Sequence, residues 1–135
     1  RIEKNHPNCI DGLKRPLHTI IPGLVLNDDK PILSYGVMGG QYQPVGHVHV
    51  LNNIFDYNMD PQEALNFPRA FHYNNIYQLE LEVDKKIEDQ LKNIGHETFR
   101  VNHTHGGGQA IKIDWENGLL VGGSDPRKDG FALGI

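Results

Sequence analysis

Two short apolar runs open the pattern of the chain. Residues 20–26 (Ile-Ile-Pro-Gly-Leu-Val-Leu) and 31–37 (Pro-Ile-Leu-Ser-Tyr-Gly-Val) flank the turn cluster Asn27-Asp28-Asp29-Lys30 and predict a hairpin of buried strands. From Pro44 the period changes. Val45, Val48, Leu51, Ile54 and Phe55 recur at spacings of three and four, which predicts a helix ending near Asn58 with those residues on its buried face. Asp60-Pro61-Gln62-Glu63 then carries the signals of a helix start: an Asp cap, Pro at the first position and Glu three residues after the cap. That helix stops before Pro68. Residues 77–83 alternate as a half-buried strand, and residues 84–93 place Ile87, Leu91 and Ile94 at helical spacing before a stop at Gly95. Strands are expected at 99–101, 110–115 and 119–122, the last two joined by Glu116-Asn117-Gly118. The whole reads as one α+β domain, an antiparallel sheet packed on helices.

Composition narrows the function classes. The 135 residues carry 13 basic and 17 acidic side chains, a formal charge of −4 and a pI near 6.0, with no basic block, so nucleic acid is a poor partner. No apolar run approaches the roughly 20 residues that cross a bilayer, and the polar start is unlike a signal peptide. Cys9, the one cysteine, excludes an internal disulfide and a multi-cysteine zinc site and leaves the compartment unassigned. A chain opening Arg1-Ile2-Glu3-Lys4 is expected to be a piece of a longer one, with any export information upstream.

Candidate chemistry concentrates at two places. Gly39-Gly40 follows the second expected strand and precedes the Pro44 helix, where two residues without Cβ atoms can turn their amides toward one point and let a substrate carbonyl approach. The same pair also reads as an ordinary strand-to-helix turn. Ahead of the first strand, His18 and Thr19 offer imidazole and hydroxyl donors to the polar end of a substrate, and Arg15 a bidentate charge; polar groups facing water at the approach to a strand account for them equally well. The histidine pairs carry less. His47 and His49 stand about 200° apart on a helix and cannot share an ion. His103 and His105, the pair able to lie on a strand, lack a third ligand nearby in sequence, so no metal site is expected. Asp125-Pro126-Arg127 with Asp129 reads as a structural salt bridge and capped loop, and Gly106-Gly107-Gly108 as a flexible turn.

Taken together, Arg15-Pro16-Leu17-His18-Thr19-Ile20-Ile21-Pro22, Gly36-Val37-Met38-Gly39-Gly40, Asp60-Pro61-Gln62-Glu63-Ala64 with Pro68-Arg69, and Gly122 to Gly130 resemble, in order, the C-terminal part of the small subunit of γ-glutamyltransferases. These are N-terminal-nucleophile hydrolases, autoprocessed heterodimers of glutathione metabolism whose precursor frees an N-terminal threonine. The resemblance implies a four-layer αββα sandwich. It carries the oxyanion-hole role to Gly39 and Gly40 and places His18 and Thr19 where the family has two serines that hold the substrate α-carboxylate. Bulky residues at either glycine are then expected to reduce kcat while leaving folding largely intact. The His-Thr-Ile-Ile-Pro variant, with Gly-Val-Met-Gly-Gly-Gln-Tyr-Gln-Pro-Val-Gly-His-Val, looks most like the family's acylase group, which leaves cephalosporin-type or glutaryl amides open as substrates. Arg1 stands where the threonine would be, and internal Thr19, Thr98 and Thr104 lack a free α-amino group. The chain alone is therefore expected to be inactive. Its partners would be the large subunit and the remaining small-subunit segment, with no cofactor; a non-catalytic binding module is the alternative.

Overall fold

The computed structural model describes residues 2–134; Arg1 and Ile135, and with them the reading of Arg1 against a threonine, lie outside the described residues. The first hairpin forms as expected: β1 (Pro22–Asn27) and β2 (Lys30–Met38) are closed by Asp28 and Asp29, both at positive φ, the two-residue turn that suits strand twist. Two helices follow, α1 (Gln43–Phe55) and α2 (Pro61–Asn66), the second opened by the full capping box of Asp60 and Glu63. Next come β3 (Ala70–Tyr73), β4 (Ile76–Glu80), α3 (Lys85–Asn93), β5 (Glu97–Val101), β6 (Gly107–Asp114) and β7 (Leu119–Ser124).

The strands make two sheets. One is antiparallel in the order β1-β2-β6-β7; the other, β3-β4-β5, has an antiparallel and a parallel pair. Helices α1 and α2 cover one face of the four-stranded sheet, where Leu33, Val37, Val50, Ile54, Leu65 and Ala110 form the core. Across the ladder, Leu24, Ile32, Ser34, Met38, Ile111, Ile113 and Leu120 share the opposite face. Much of that face is open: Leu24 is 61% exposed and Leu120 71%.

Several expectations change in physical detail. The hairpin is not wholly buried, because β1 is an edge strand beginning at Pro22, and segment 20–21 runs outside the ladder. On α1 the buried positions are Gln43, Gly46, His47, Val50, Asn53 and Ile54, while Val45, Val48 and Phe55 face outward. The inward stripe keeps helical spacing but is partly polar; its polar members are admitted because each has a partner, Asn53 donating to the Ala64 carbonyl at 3.3 Å. Gly46 belongs there because a Cβ would meet Tyr42 and Val37 at 2.6 Å. On α3, Glu88 is buried and Ile87 and Ile94 are exposed, since Lys92 and Arg100 reach the Glu88 carboxylate at 2.6 and 2.8 Å. The triple glycine is no flexible turn: Gly107 and Gly108 are paired strand residues opposite Met38 and Val37.

Candidate functional site

At the end of β2 the chain reverses through Gly39 (φ 133°) and Gly40 (φ 58°), conformations that side chains with a Cβ resist. A single 3-10 turn, Gly40–Tyr42, then runs directly into α1. Within this turn the Tyr42 amide donates to the Gly39 carbonyl at 3.1 Å and the Gln43 amide donates to the Gly40 carbonyl. The glycines thus act as acceptors, and the turn makes no use of their own amides. They precede the first turn of α1, whose positive end favours negative charge nearby.

Gly39 and Gly40 form one end of an open cleft of about 560 Å³ shared with Thr19, Tyr35, Met38, Gln43 and Gln109. Its lining draws on both faces of the sheet edge: Tyr35 and Val37 from the helix-covered face, Met38 and Gln109 from the other, with Gln43 from α1. Of the polar residues expected to bind substrate, the structure brings Thr19 to the cleft with the glycine pair. His18 is exposed beside it and does not line it. Arg15 borders a separate depression of about 260 Å³ formed by the N-terminal segment with Asn8, Lys14 and Leu17.

Segment 19–21, which carries Thr19 and runs outside the sheet, is held from α1. The Gln43 side-chain amide donates to the Thr19 carbonyl at 2.9 Å, and His47 Nε2 lies 2.9 Å from the Ile21 carbonyl. His47 Nδ1 is 2.8 Å from the Gln43 carbonyl, and its ring leans on Tyr35 at 5.0 Å between centroids. From the sequence His47 is weighed as half of a metal pair and stands in the run that resembles the acylase group, without a role of its own. The signal that distinguishes it is its place on the same helical stripe as Gln43 and Gly46.

Behind the glycine turn lies a buried charge network. Asp125, fully buried, accepts from Arg69 Nη2 at 2.7 Å and from Arg127 Nε at 3.0 Å. Glu80 accepts from Arg127 Nη1 at 2.9 Å and from the backbone amides of Arg69 and His105 at 3.0 and 2.7 Å. Arg69 closes the circuit by donating to the His105 carbonyl at 2.9 Å and the Leu65 carbonyl at 2.8 Å. Burial alone pushes the Asp125 carboxyl up, but the hydrogen bonds and charges of Arg127 and Arg69 hold it below the ordinary carboxylate range. The structural reading of Asp125 and Arg127 stands, and Arg69 and Glu80, which sequence reasoning missed, complete it.

The network bears on the cleft through His105 and Gly106. The Tyr42 ring stacks on His105 at 5.7 Å, and a Cβ on Gly39 would come within 2.8 Å of the Gly106 Cα. The expectation that bulky residues at either glycine leave folding intact is at odds with the surroundings of Gly39, which have no room for a side chain without a backbone shift. At Gly40 nothing lies within 4 Å of an added Cβ. His103 and His105 lie in the loop between β5 and β6, not on a strand, with ring centroids 5.3 Å apart, and burial pushes the His105 imidazole down. Among the described residues no group of three or more His, Cys, Asp or Glu is placed to hold a metal ion, and no helix is long and apolar enough to cross a membrane.

Comparison with known proteins connects this arrangement to a family. The family model described as gamma-glutamyltranspeptidase matches residues 1–135. The glutathione hydrolase-like YwrD proenzyme of Bacillus subtilis is 37% identical across 99% of this chain, which spans 27% of that protein. Among solved structures, cephalosporin acylase from Bacillus halodurans superposes with a TM-score of 0.79 at 40% identity, covering 93% of this chain and 24% of that one. A mutant gamma-glutamyltranspeptidase of Helicobacter pylori superposes at 0.75 with 28% identity, covering 89% of this chain and 67% of that one. The chain thus spans about a quarter of the curated relatives it matches. It has the α+β architecture of N-terminal-nucleophile hydrolases and belongs to the gamma-glutamyltranspeptidase family.

Proposed function

We propose that this chain supplies the oxyanion turn and one wall of the acyl-binding cleft in a γ-glutamyltransferase-like amide hydrolase or transferase. The observation that carries this reading is the glycine turn itself: two amides left over by their own turn, at a helix start, beside a cleft containing Thr19. A threonine on a segment outside this chain attacks the amide carbonyl, and the oxygen gains negative charge against the Gly39 and Gly40 amides. The intermediate collapses, the amine leaves with a proton, and water or a second amine attacks the acyl-threonine to release product and restore the hydroxyl. Thr19, with His18 beside it, orients the far end of the acyl group, and Arg15 adds charge at a distance.

The partner surface follows from packing. An apolar sheet face bearing Leu24, Met38, Ile111 and Leu120 fits a second sheet, as a sandwich requires, and Met38 and Gln109 of that face line the cleft. The large subunit and the rest of the small subunit, made as one precursor with this chain, would supply that cover and the nucleophile. The proenzyme names of the curated relatives support such a precursor.

A second reading keeps this machinery with a non-γ-glutamyl amide as substrate, favoured by the 40% identity to a cephalosporin acylase. Hydrolysis of γ-glutamyl anilide and glutaryl anilide by the mature enzyme separates the two, because the substrates differ only in the α-amino group. Preference for the γ-glutamyl compound supports the first reading and preference for the glutaryl compound the second. No turnover of either refutes both.

A further inference from the structure

The segment bearing Thr19 poses a problem that the fold solves in an unusual way. It is exposed, it precedes the first residue of β1, and it lies outside the paired ladder with β2. Gln43 and His47, one turn apart on the buried stripe of α1, meet the carbonyls of Thr19 and Ile21 at 2.9 Å each.

Of the pair, Gln43 lines the cleft and His47 does not. His47 is nevertheless buried, with Nδ1 against the Gln43 carbonyl, Nε2 against the Ile21 carbonyl and its ring tilted on Tyr35; the tautomer with its hydrogen on Nε2 donates to Ile21. An apolar residue fills such a position at lower desolvation cost, so an imidazole there calls for a reason. The glycine turn and the Thr19 segment are both mounted on the first two turns of α1, which makes their separation a property of one rigid element.

We propose that His47 is a positioning residue for substrate recognition: it holds the segment bearing Thr19 against α1 and so fixes the substrate wall relative to the Gly39-Gly40 turn. The proposal rests on the reading of the cleft as the acyl site. Because His47 acts on the wall and not on the oxyanion turn, its loss weakens binding of the acyl group without slowing the chemical step.

The test compares His47→Leu and His47→Gln in the mature, assembled enzyme with a chromogenic γ-glutamyl or glutaryl anilide, whichever the wild type turns over. Gln carries an amide nitrogen at about the reach of imidazole Nε2 and can restore the bond to Ile21. His47→Leu is expected to raise KM roughly fivefold to tenfold, the size of one lost hydrogen bond, with kcat within about twofold of wild type. His47→Gln is expected to recover most of that KM. Amide hydrogen exchange supplies a readout independent of turnover: in His47→Leu, residues 18–21 exchange faster while the glycine turn keeps its wild-type rate. An unchanged KM, a fall in kcat shared by both variants, or unchanged exchange over 18–21 overturns the proposal. A wild-type enzyme that cleaves no amide refutes the reading of the cleft instead, and the exchange comparison still decides whether His47 holds the segment.

Discussion

The two glycines of the turn predict opposite outcomes for the same substitution. Gly39→Ala places a methyl group 2.8 Å from the Gly106 Cα and 3.3 Å from the Gly106 nitrogen and Tyr42 Cβ, so backbone must move. It also forces an L-residue to a φ of 133°, a region left almost entirely to glycine. Strained backbone and overpacking together cost about 2–5 kcal/mol. Gly40→Ala meets nothing within 4 Å and needs only a left-handed φ of 58°, at about 1–2 kcal/mol. Gly40 lines the cleft, so its methyl group is added at the proposed site of the reacting carbonyl. A displacement of about 1 Å in a reacting carbonyl is enough to cost roughly 10²-fold in rate.

The expected ranking follows. In thermal denaturation of the assembled enzyme, wild type exceeds Gly40→Ala by a small margin and Gly39→Ala by a large one. In steady-state kinetics on an anilide substrate, Gly40→Ala loses kcat far beyond its loss of stability. Wild-type kcat in Gly40→Ala would refute the placement of a reacting carbonyl at this turn. Wild-type stability in Gly39→Ala would refute the close seat on Gly106.

Three other substitutions probe the frame. Asp125→Ala leaves the guanidinium groups of Arg69 and Arg127 facing an empty carboxylate site and is expected to cost about 3–5 kcal/mol; a shift below about 1 kcal/mol in urea denaturation would show that the network relaxes freely. Glu88, held by hydrogen bonds from Lys92 and Arg100, has its pKa lowered from 4.5 to about 2. Its contribution is full above the ordinary value and is lost as pH falls toward about 2, so the stability gap between wild type and Glu88→Gln should close over that acid window and stay constant above it. Tyr42 has a buried hydroxyl with no partner among the described residues, and burial pushes its pKa to about 12. Tyr42→Phe is therefore expected to be neutral or slightly stabilising in the same denaturation assay, and a loss above about 1.5 kcal/mol would refute the absence of a partner.

The sequence carried most of the architecture where a local rule was strong enough to stand alone. Asp60 and Glu63 formed their capping box, Gly95 ended α3, and Asp28-Asp29 closed the hairpin, because caps and turns are decided within a few residues. Strand β3 was missed although Asn74-Asn75, both at positive φ, sits between aromatic and aliphatic residues as a hairpin signal. The buried face of α1 was misjudged for a different reason. Apolarity marks what avoids water in the complete assembly, and the stripe Val45, Val48 and Phe55 is apolar yet uncovered by this chain. What turned inward was set by partners far away in sequence, the carbonyls of Thr19, Ile21 and Ala64. Gly106 to Gly108 likewise looked loose from composition, whereas close packing explains them: a Cβ on Gly108 would meet Leu65 at 2.7 Å.

The same logic explains why a chain of this size keeps Arg69, Glu80 and Asp125 in its interior, with Arg127 half-buried beside them. The two sheets have no common strand. What joins them behind the cleft is the circuit from Arg69 and Glu80, flanking β3 and ending β4, to Asp125 and Arg127 beyond β7. A buried ion pair adds little net stability compared with well-packed apolar residues of the same volume, but its directional bonds admit few alternatives. Here those bonds grip His105 at both its amide and its carbonyl, and His105 and Gly106 form the seat of Tyr42 and Gly39. An apolar replacement could fill the volume, yet it could not hold that backbone at two points. The geometry of a turn at residues 39 and 40 is thus set by side chains 29 to 88 positions further along the chain, which is why the Gly-Gly pair read by itself is indistinguishable from an ordinary turn.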